Sequence, residues 1–197
     1  MIADVSGSMN EKSRLKNLKI AANALVDTFS EQKDTVDARY SLVTFSNYGN
    51  KVAEWVNSEA FKNKINALTA NGGTNYDQGL AVANSCLSSA RTQATKIVIF
   101  LTDGQPTFYG TNRTKVKIDG KTDYYPYGRG NATSERCVER ALTSASNIRC
   151  DKFYGVGIGL PSLIGGTDYD YDGYIYQYDY DGCLLYTSPS PRDYAAS

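Results

Sequence analysis

The amino-acid sequence predicts an α/β fold with a doubly wound, mostly parallel central sheet flanked by helices. Two observations carry this prediction. Residues 96–102, "KIVIFLT", are an unbroken apolar run of strand length, the mark of a parallel strand covered on both faces. Around it, stretches of strand and helix periodicity mostly alternate, the pattern of a sheet with helices on both sides. A chain of 197 residues is long enough to bury one sizeable core.

The elements follow in order. Met1, Ile2 and Ala3 lead into "DVSGSM" as a short first strand and its turn. The next 23 residues, "NEKSRLKNLKIAANALVDTFSEQ", place Leu15, Leu18, Ala22, Leu25 and Phe29 at helical spacing. "ARYSLVTFS" is β-branched and aromatic, and "KVAEWV" is a second strand after the "NYGN" turn. "SEAFKNKINAL" reads as a helix with Ser58 as N-cap and Phe61, Ile65 and Leu68 on one face. After the break "TANGGTN", "YDQGLAVANSCLSSAR" is a helix with Leu80, Ala83 and Leu87 inward. "SERCVERALTSASNIR" is a helix through Val138, Ala141, Leu142, Ala145 and Ile148, and "KFYGVGIG" is a further strand with a glycine exit.

Two segments stand outside the alternation. Residues 104–130 form an insert in which "TKVKIDGKTDYYPY" has an Asp119-Gly120 turn between strand-like arms, a hairpin signal. Residues 165–182 are a Tyr/Asp-rich stretch; Asp168 to Asp179 has the spacing of an EF-hand calcium loop but lacks the final Glu and flanking helices, so a solvated loop is the better reading. "CLLYTSPSPRD", Cys183 to Asp193, resembles a translated sequencing adapter. Residues 183–197 are therefore set aside as an artefact, and one domain is expected over 1–182.

Composition narrows function by exclusion. Lys plus Arg and Asp plus Glu are 21 each, so no global field points to nucleic acid or a membrane surface. No apolar run reaches membrane-spanning length. There is no histidine, which removes Ser-His-Asp and Cys-His catalysis, His-bearing zinc sites and HExxH chemistry. Cys86, Cys137 and Cys150 read most simply as small buried thiols, with a pairing of Cys86 to either of the others left open.

Oxygen chemistry remains. In an open parallel sheet, ligands gather at the carboxyl ends of the strands. Three oxygen-rich loops fall there: Asp4, Ser6 and Ser8 after the first strand, Thr74 in "GGTN", and Asp103 in "LTDG". Two carboxylates and three hydroxyls suit Mg²⁺, which takes hard oxygen donors and retains water. So few charges leave the ion under-neutralised, and an acidic side chain from outside completes its shell strongly.

"DVSGSM", "GGTN" and "FLTDG", in that order and at these separations, resemble the von Willebrand factor A (integrin I-like) domain and its metal-ion-dependent adhesion site, from Ile2 to about Leu160. The resemblance implies a Rossmann-like sheet and metal contacts from the hydroxyls of Ser6, Ser8 and Thr74. Asp4 and Asp103 would act directly or through water on Mg²⁺, with Mn²⁺ or Ca²⁺ as substitutes. The family's first strand is usually longer, and a last helix and strand follow "VGIG"; the domain is therefore expected to be truncated at both ends.

The resulting expectation is a metal-dependent adhesion or protein-binding module, not an enzyme. Its partner is a protein offering a Glu or Asp carboxylate, with no nucleic acid and no membrane insertion. Its setting is extracellular or at a cell surface, in the style of bacterial surface proteins. The alternative is a cytoplasmic domain serving an AAA-type ATPase. Arg113, Lys115, Lys117, Tyr124 and Tyr125 of the insert are candidate partner contacts, since Arg and Tyr are favoured at interfaces.

Overall fold

The computed structural model describes residues 1–32, 34–118, 121–159, 168–169 and 175–176, the stretches 111–118, 121–125, 168–169 and 175–176 by backbone alone. The central sheet has five strands: β1 (Ile2–Asp4), β2 (Tyr40–Phe45), β3 (Gly49–Val56), β4 (Ile97–Thr102) and β7 (Lys152–Gly157). Their spatial order is β3-β2-β1-β4-β7. All neighbours run parallel except β3, an edge strand that pairs antiparallel with β2. Among the described residues, four α-helices complete the layers: α1 (Arg14–Glu31), α2 (Ser58–Asn66), α3 (Tyr76–Ser88) and α4 (Glu135–Ser146).

Strand alternation splits the core between two faces. Ala3, Leu42 and Leu101 pack with Met9, Leu18, Ala22 and Val26 and with Phe61 and Ile65, under α1 and α2. Ile2, Val43, Val98 and Phe100 pack with Leu80, Ala83, Cys86, Leu87 and Ile148, under α3 and the end of α4. Phe45 stacks on Phe100 at 5.2 Å, and Tyr76 meets both rings edge-on. The doubly wound, mostly parallel architecture is thus the one that the sequence predicts.

Three details differ from expectation. Asn57, not Ser58, caps α2: its side-chain oxygen accepts from the Ala60 N–H at 2.9 Å. In α1 the fully buried residues are Leu18, Ala22 and Val26, while Leu15, Leu25 and Phe29 are half-buried. Leu142 of α4 is exposed (64%), because Cys137, Ala141 and Ile148 define the inward face and Leu142 is one residue, about 100° of helix, beyond it. Cys86, Cys137 and Cys150 are all free thiols.

Strands β5 (Phe108–Ile118) and β6 (Lys121–Gly128) pair antiparallel with each other, apart from the central sheet. The Asp119-Gly120 turn lies outside the described residues. So do most of the Tyr/Asp-rich stretch and all of 183–197; within that stretch, β8 (Asp168–Tyr169) and β9 (Ile175–Tyr176) pair antiparallel.

The middle of the sheet is short. Ile2 stands opposite Val43 and Phe100, so β2 and β4 both run on past the start of β1. Between those overhangs lies a cavity of about 720 Å³ lined by Met1, Leu25, Val26, Tyr40, Ile97 and Ile99, among others. The Met1 ammonium donates to the Ser41 carbonyl at 2.8 Å, and burial lowers its pKa from 8.0 to about 6.

Candidate functional site

The carboxyl ends of β1 and β4 lie side by side, so Asp4 falls next to Thr102 and the turn that carries Asp103. Asp4 is fully buried; its Oδ1 accepts from the Ser6 N–H at 2.8 Å and its Oδ2 from the Thr102 hydroxyl at 2.7 Å. Burial still dominates and raises its pKa from 3.8 to about 6, against the opposing pull of those hydrogen bonds. A carboxylate so placed is electrostatically under-compensated.

The two serines are not spent on capping. A short 3₁₀ turn (Gly7–Ser13) follows β1, and Ser6 at its start makes no side-chain cap bond. Instead Ser6 Oγ and Ser8 Oγ lie 3.1 Å apart, and the Ser8 hydroxyl donates to Asp103 Oδ1 at 3.0 Å. Asp4, Ser6, Ser8 and Asp103 thus form one hydrogen-bonded chain at the sheet edge.

Thr74 is tied to the same place through its loop. Gly7 N–H donates to the Gly72 carbonyl at 2.8 Å, and Asn71 N–H to the Val5 carbonyl at 2.8 Å. Both glycines of "GGTN" are needed. Gly72 has φ +86°, and a Cβ on Gly73 would come within 2.5 Å of the Phe108 ring. Thr74 itself is buried (6%) directly before Asn75, whose side chain caps α3 by accepting from Gln78 N–H at 3.1 Å.

The root of the β5–β6 hairpin grips this loop. Thr107 and Phe108 N–H groups both donate to the Thr74 carbonyl, at 2.8 and 2.9 Å, and Thr74 N–H donates to Thr107 Oγ1 at 2.9 Å. Farther along, Gly110 (φ +80°) is held on both backbone groups: its N–H donates to Asp77 Oδ2 at 2.9 Å, and its carbonyl accepts from Gln78 Nε2 at 3.0 Å. Arg140 and Ser144 of α4 in turn donate to Asp77. Arg113, Lys115, Lys117, Tyr124 and Tyr125 lie on the hairpin itself, with Lys115 opposite Tyr124 and Thr114 opposite Tyr125 in the ladder.

Sequence reading passes over several residues. Thr102 and Thr107 flank motifs already visible, and a hydroxyl beside each is the only signal. Arg14 has none, being one charge among many on a helix. Its Nη1 donates to Asp103 Oδ2 at 3.1 Å and to the Ser8 carbonyl at 3.2 Å.

The donor set fits a small hard cation. Among the described residues no three Cys, Asp or Glu side chains gather as a metal cage. Asp4, Ser6, Ser8 and Asp103 bring together two carboxylates and two hydroxyls, with the Thr74 loop bonded alongside, and an ion such as Mg²⁺ takes oxygen donors of this kind when it keeps water. The serine hydroxyls turned away from the helix amides, and the under-compensated Asp4, agree with that.

Comparison with known proteins gives the same fold. Residues 1–105 match the model of the von Willebrand factor type A domain family. An uncharacterized protein of Synechocystis sp., sll0103, is 28% identical over 153 residues, covering 74% of this chain and 35% of its own. Among solved structures, the D319A mutant of the PilB minor pilin from Streptococcus sanguinis has a TM-score of 0.60 at 18% identity, over 81% of this chain and 49% of that one. The vWF domain of the type V pili tip protein Mfa5 from Porphyromonas gingivalis has 0.52 at 24%, over 57% and 39%. A von Willebrand factor type A protein from Catenulispora acidiphila has 0.51 at 23%, over 78% and 30%. The chain spans about a third of the Synechocystis protein and at most half of these structures.

Proposed function

The chain belongs to the von Willebrand factor type A domain family, and we propose that it is a binding module that captures an acidic side chain of a partner protein at Asp4, Ser6, Ser8, Thr74 and Asp103. A divalent ion held by these five, Mg²⁺ by preference, supplies a hard acceptor site for the partner's carboxylate. The observation that carries this reading is the hydrogen-bonded chain from Asp4 through Ser6 and Ser8 to Asp103, assembled from loops 95 residues apart at one sheet edge.

Each residue has a task. Asp4, fixed by Ser6 N–H and Thr102, contributes charge from a buried position. Ser6, Ser8 and Thr74 contribute neutral oxygen, which keeps the total negative charge low. Asp103 offers Oδ1, already oriented by Ser8. The hairpin rooted at Thr107–Gly110 stands beside this site, and its Arg113, Lys115, Lys117, Tyr124 and Tyr125 are the residues we assign to partner choice. Binding is favoured over catalysis because the chain has no histidine and both oxygens of Asp4 and of Asp103 are engaged. The pilus proteins that share the fold favour a surface setting. Among the described residues no helix is long and apolar enough to cross a membrane.

The test is metal binding by the intact chain. Thr74→Ala and Asp103→Ala should each weaken Mn²⁺ binding about tenfold or more in calorimetric titration, with thermal unfolding still cooperative. Undiminished Mn²⁺ binding in both variants sinks the assignment.

A further inference from the structure

Arg14 is built into the site with more care than a surface charge needs. Two consecutive non-glycine residues before it, Lys12 (φ 46°) and Ser13 (φ 60°), are left-handed, and this double reversal sets Arg14 at the first position of α1. Its side chain is only 13% exposed. Gly159, also left-handed at φ +62°, lies flat on its stem: a Cβ there would come within 3.2 Å of Arg14 Cγ. The guanidinium Nη1 takes Asp103 Oδ2 and the Ser8 carbonyl, while Nε is buried with no hydrogen-bond partner among the described residues. Glu11 is the other acid in reach, at 3.5 Å, but its side chain is 67% exposed and its pull is screened.

We propose that Arg14 is a positioning residue that divides the Asp103 carboxylate, holding Oδ2 so that Oδ1 alone serves the ion, and that its charge makes the partner's acid the favoured last ligand. This rests on the metal-site reading above. The charge arithmetic is simple. In formal charge Asp4 and Asp103 together match a divalent ion, which weakens the attraction for an incoming carboxylate. Arg14 adds one positive charge, and the guest's acid returns the site to neutrality. The same positive charge repels the metal, so Arg14 weakens ion binding while strengthening capture. A residue that merely supported the fold would move both in the same direction.

That opposition is the test. Arg14→Met keeps the apolar stem against Gly159 and removes the charge and the donors; Arg14→Lys keeps the charge. Mn²⁺ binding is followed by calorimetry on the ion-free chain, and acetate is then titrated into the Mn²⁺-loaded protein by water-proton relaxation. Arg14→Met should tighten Mn²⁺ by about three- to tenfold and weaken acetate by a similar factor, as a unit charge a few ångströms from a divalent ion requires in a solvated setting. Arg14→Lys should stay near wild type in both. Weaker Mn²⁺ binding in Arg14→Met, or unchanged acetate binding, overturns the proposal. A wild-type chain that binds no Mn²⁺ instead removes the metal-site reading and this proposal with it, a result distinct from either.

Discussion

Thr74 and Thr107 hold each other by a reciprocal pair of hydrogen bonds. Thr107 N–H donates to the Thr74 carbonyl at 2.8 Å, and Thr74 N–H donates back to Thr107 Oγ1 at 2.9 Å. Thr107→Val keeps the shape but leaves a largely buried N–H without its acceptor, which costs about 1–3 kcal/mol. Thr107→Ser keeps the acceptor. Urea unfolding should therefore show the Val variant less stable by that amount and the Ser variant close to wild type, with Mn²⁺ affinity falling only in the former. Equal stability of the two would show that this bond does not hold the loop.

Hairpin and site are separable by design of the root. Removing residues 111–127 leaves Thr107, Phe108 and Gly110, with their bonds to Thr74, Asp77 and Gln78, in the chain. Mn²⁺ affinity should stay within about twofold of wild type, while selection among acidic peptides of differing flanks changes. Identical selection with and without the segment would remove the hairpin from partner choice.

Asp4 trades stability for charge. Its pKa is raised to about 6 by burial, so the ionised form destabilises the ion-free fold near neutral pH. Asp4→Asn preserves an acceptor for Ser6 N–H and removes the charge. At pH 7 and without metal, denaturant unfolding should find it more stable by about 1–3 kcal/mol, and Mn²⁺ should no longer stabilise it. A less stable Asn variant would contradict this account.

Much of the fold was legible because its signals are local. "KIVIFLT" announces a two-face-covered strand, and Phe61, Ile65, Leu80, Ala83 and Leu87 take the buried positions that their spacing requires. The loops of Asp4 and Asp103 could be placed at one sheet edge because strand polarity decides it; Thr74 follows α2 and not a strand, contrary to the expectation, and its loop joins them through the Gly7–Gly72 and Asn71–Val5 backbone bonds. What escaped depends on backbone detail. Asn57 rather than Ser58 caps α2, since a cap is chosen by the φ/ψ of one residue and both types qualify. Arg14 escaped because its direction follows from two left-handed residues that no periodicity reveals.

Asp77 of α3 accepts from the Gly110 N–H and from Arg140 and Ser144 of α4. One buried carboxylate thus clasps three stretches that are remote along the chain, and whatever loosens it should free the root of the hairpin and the α4 helix together.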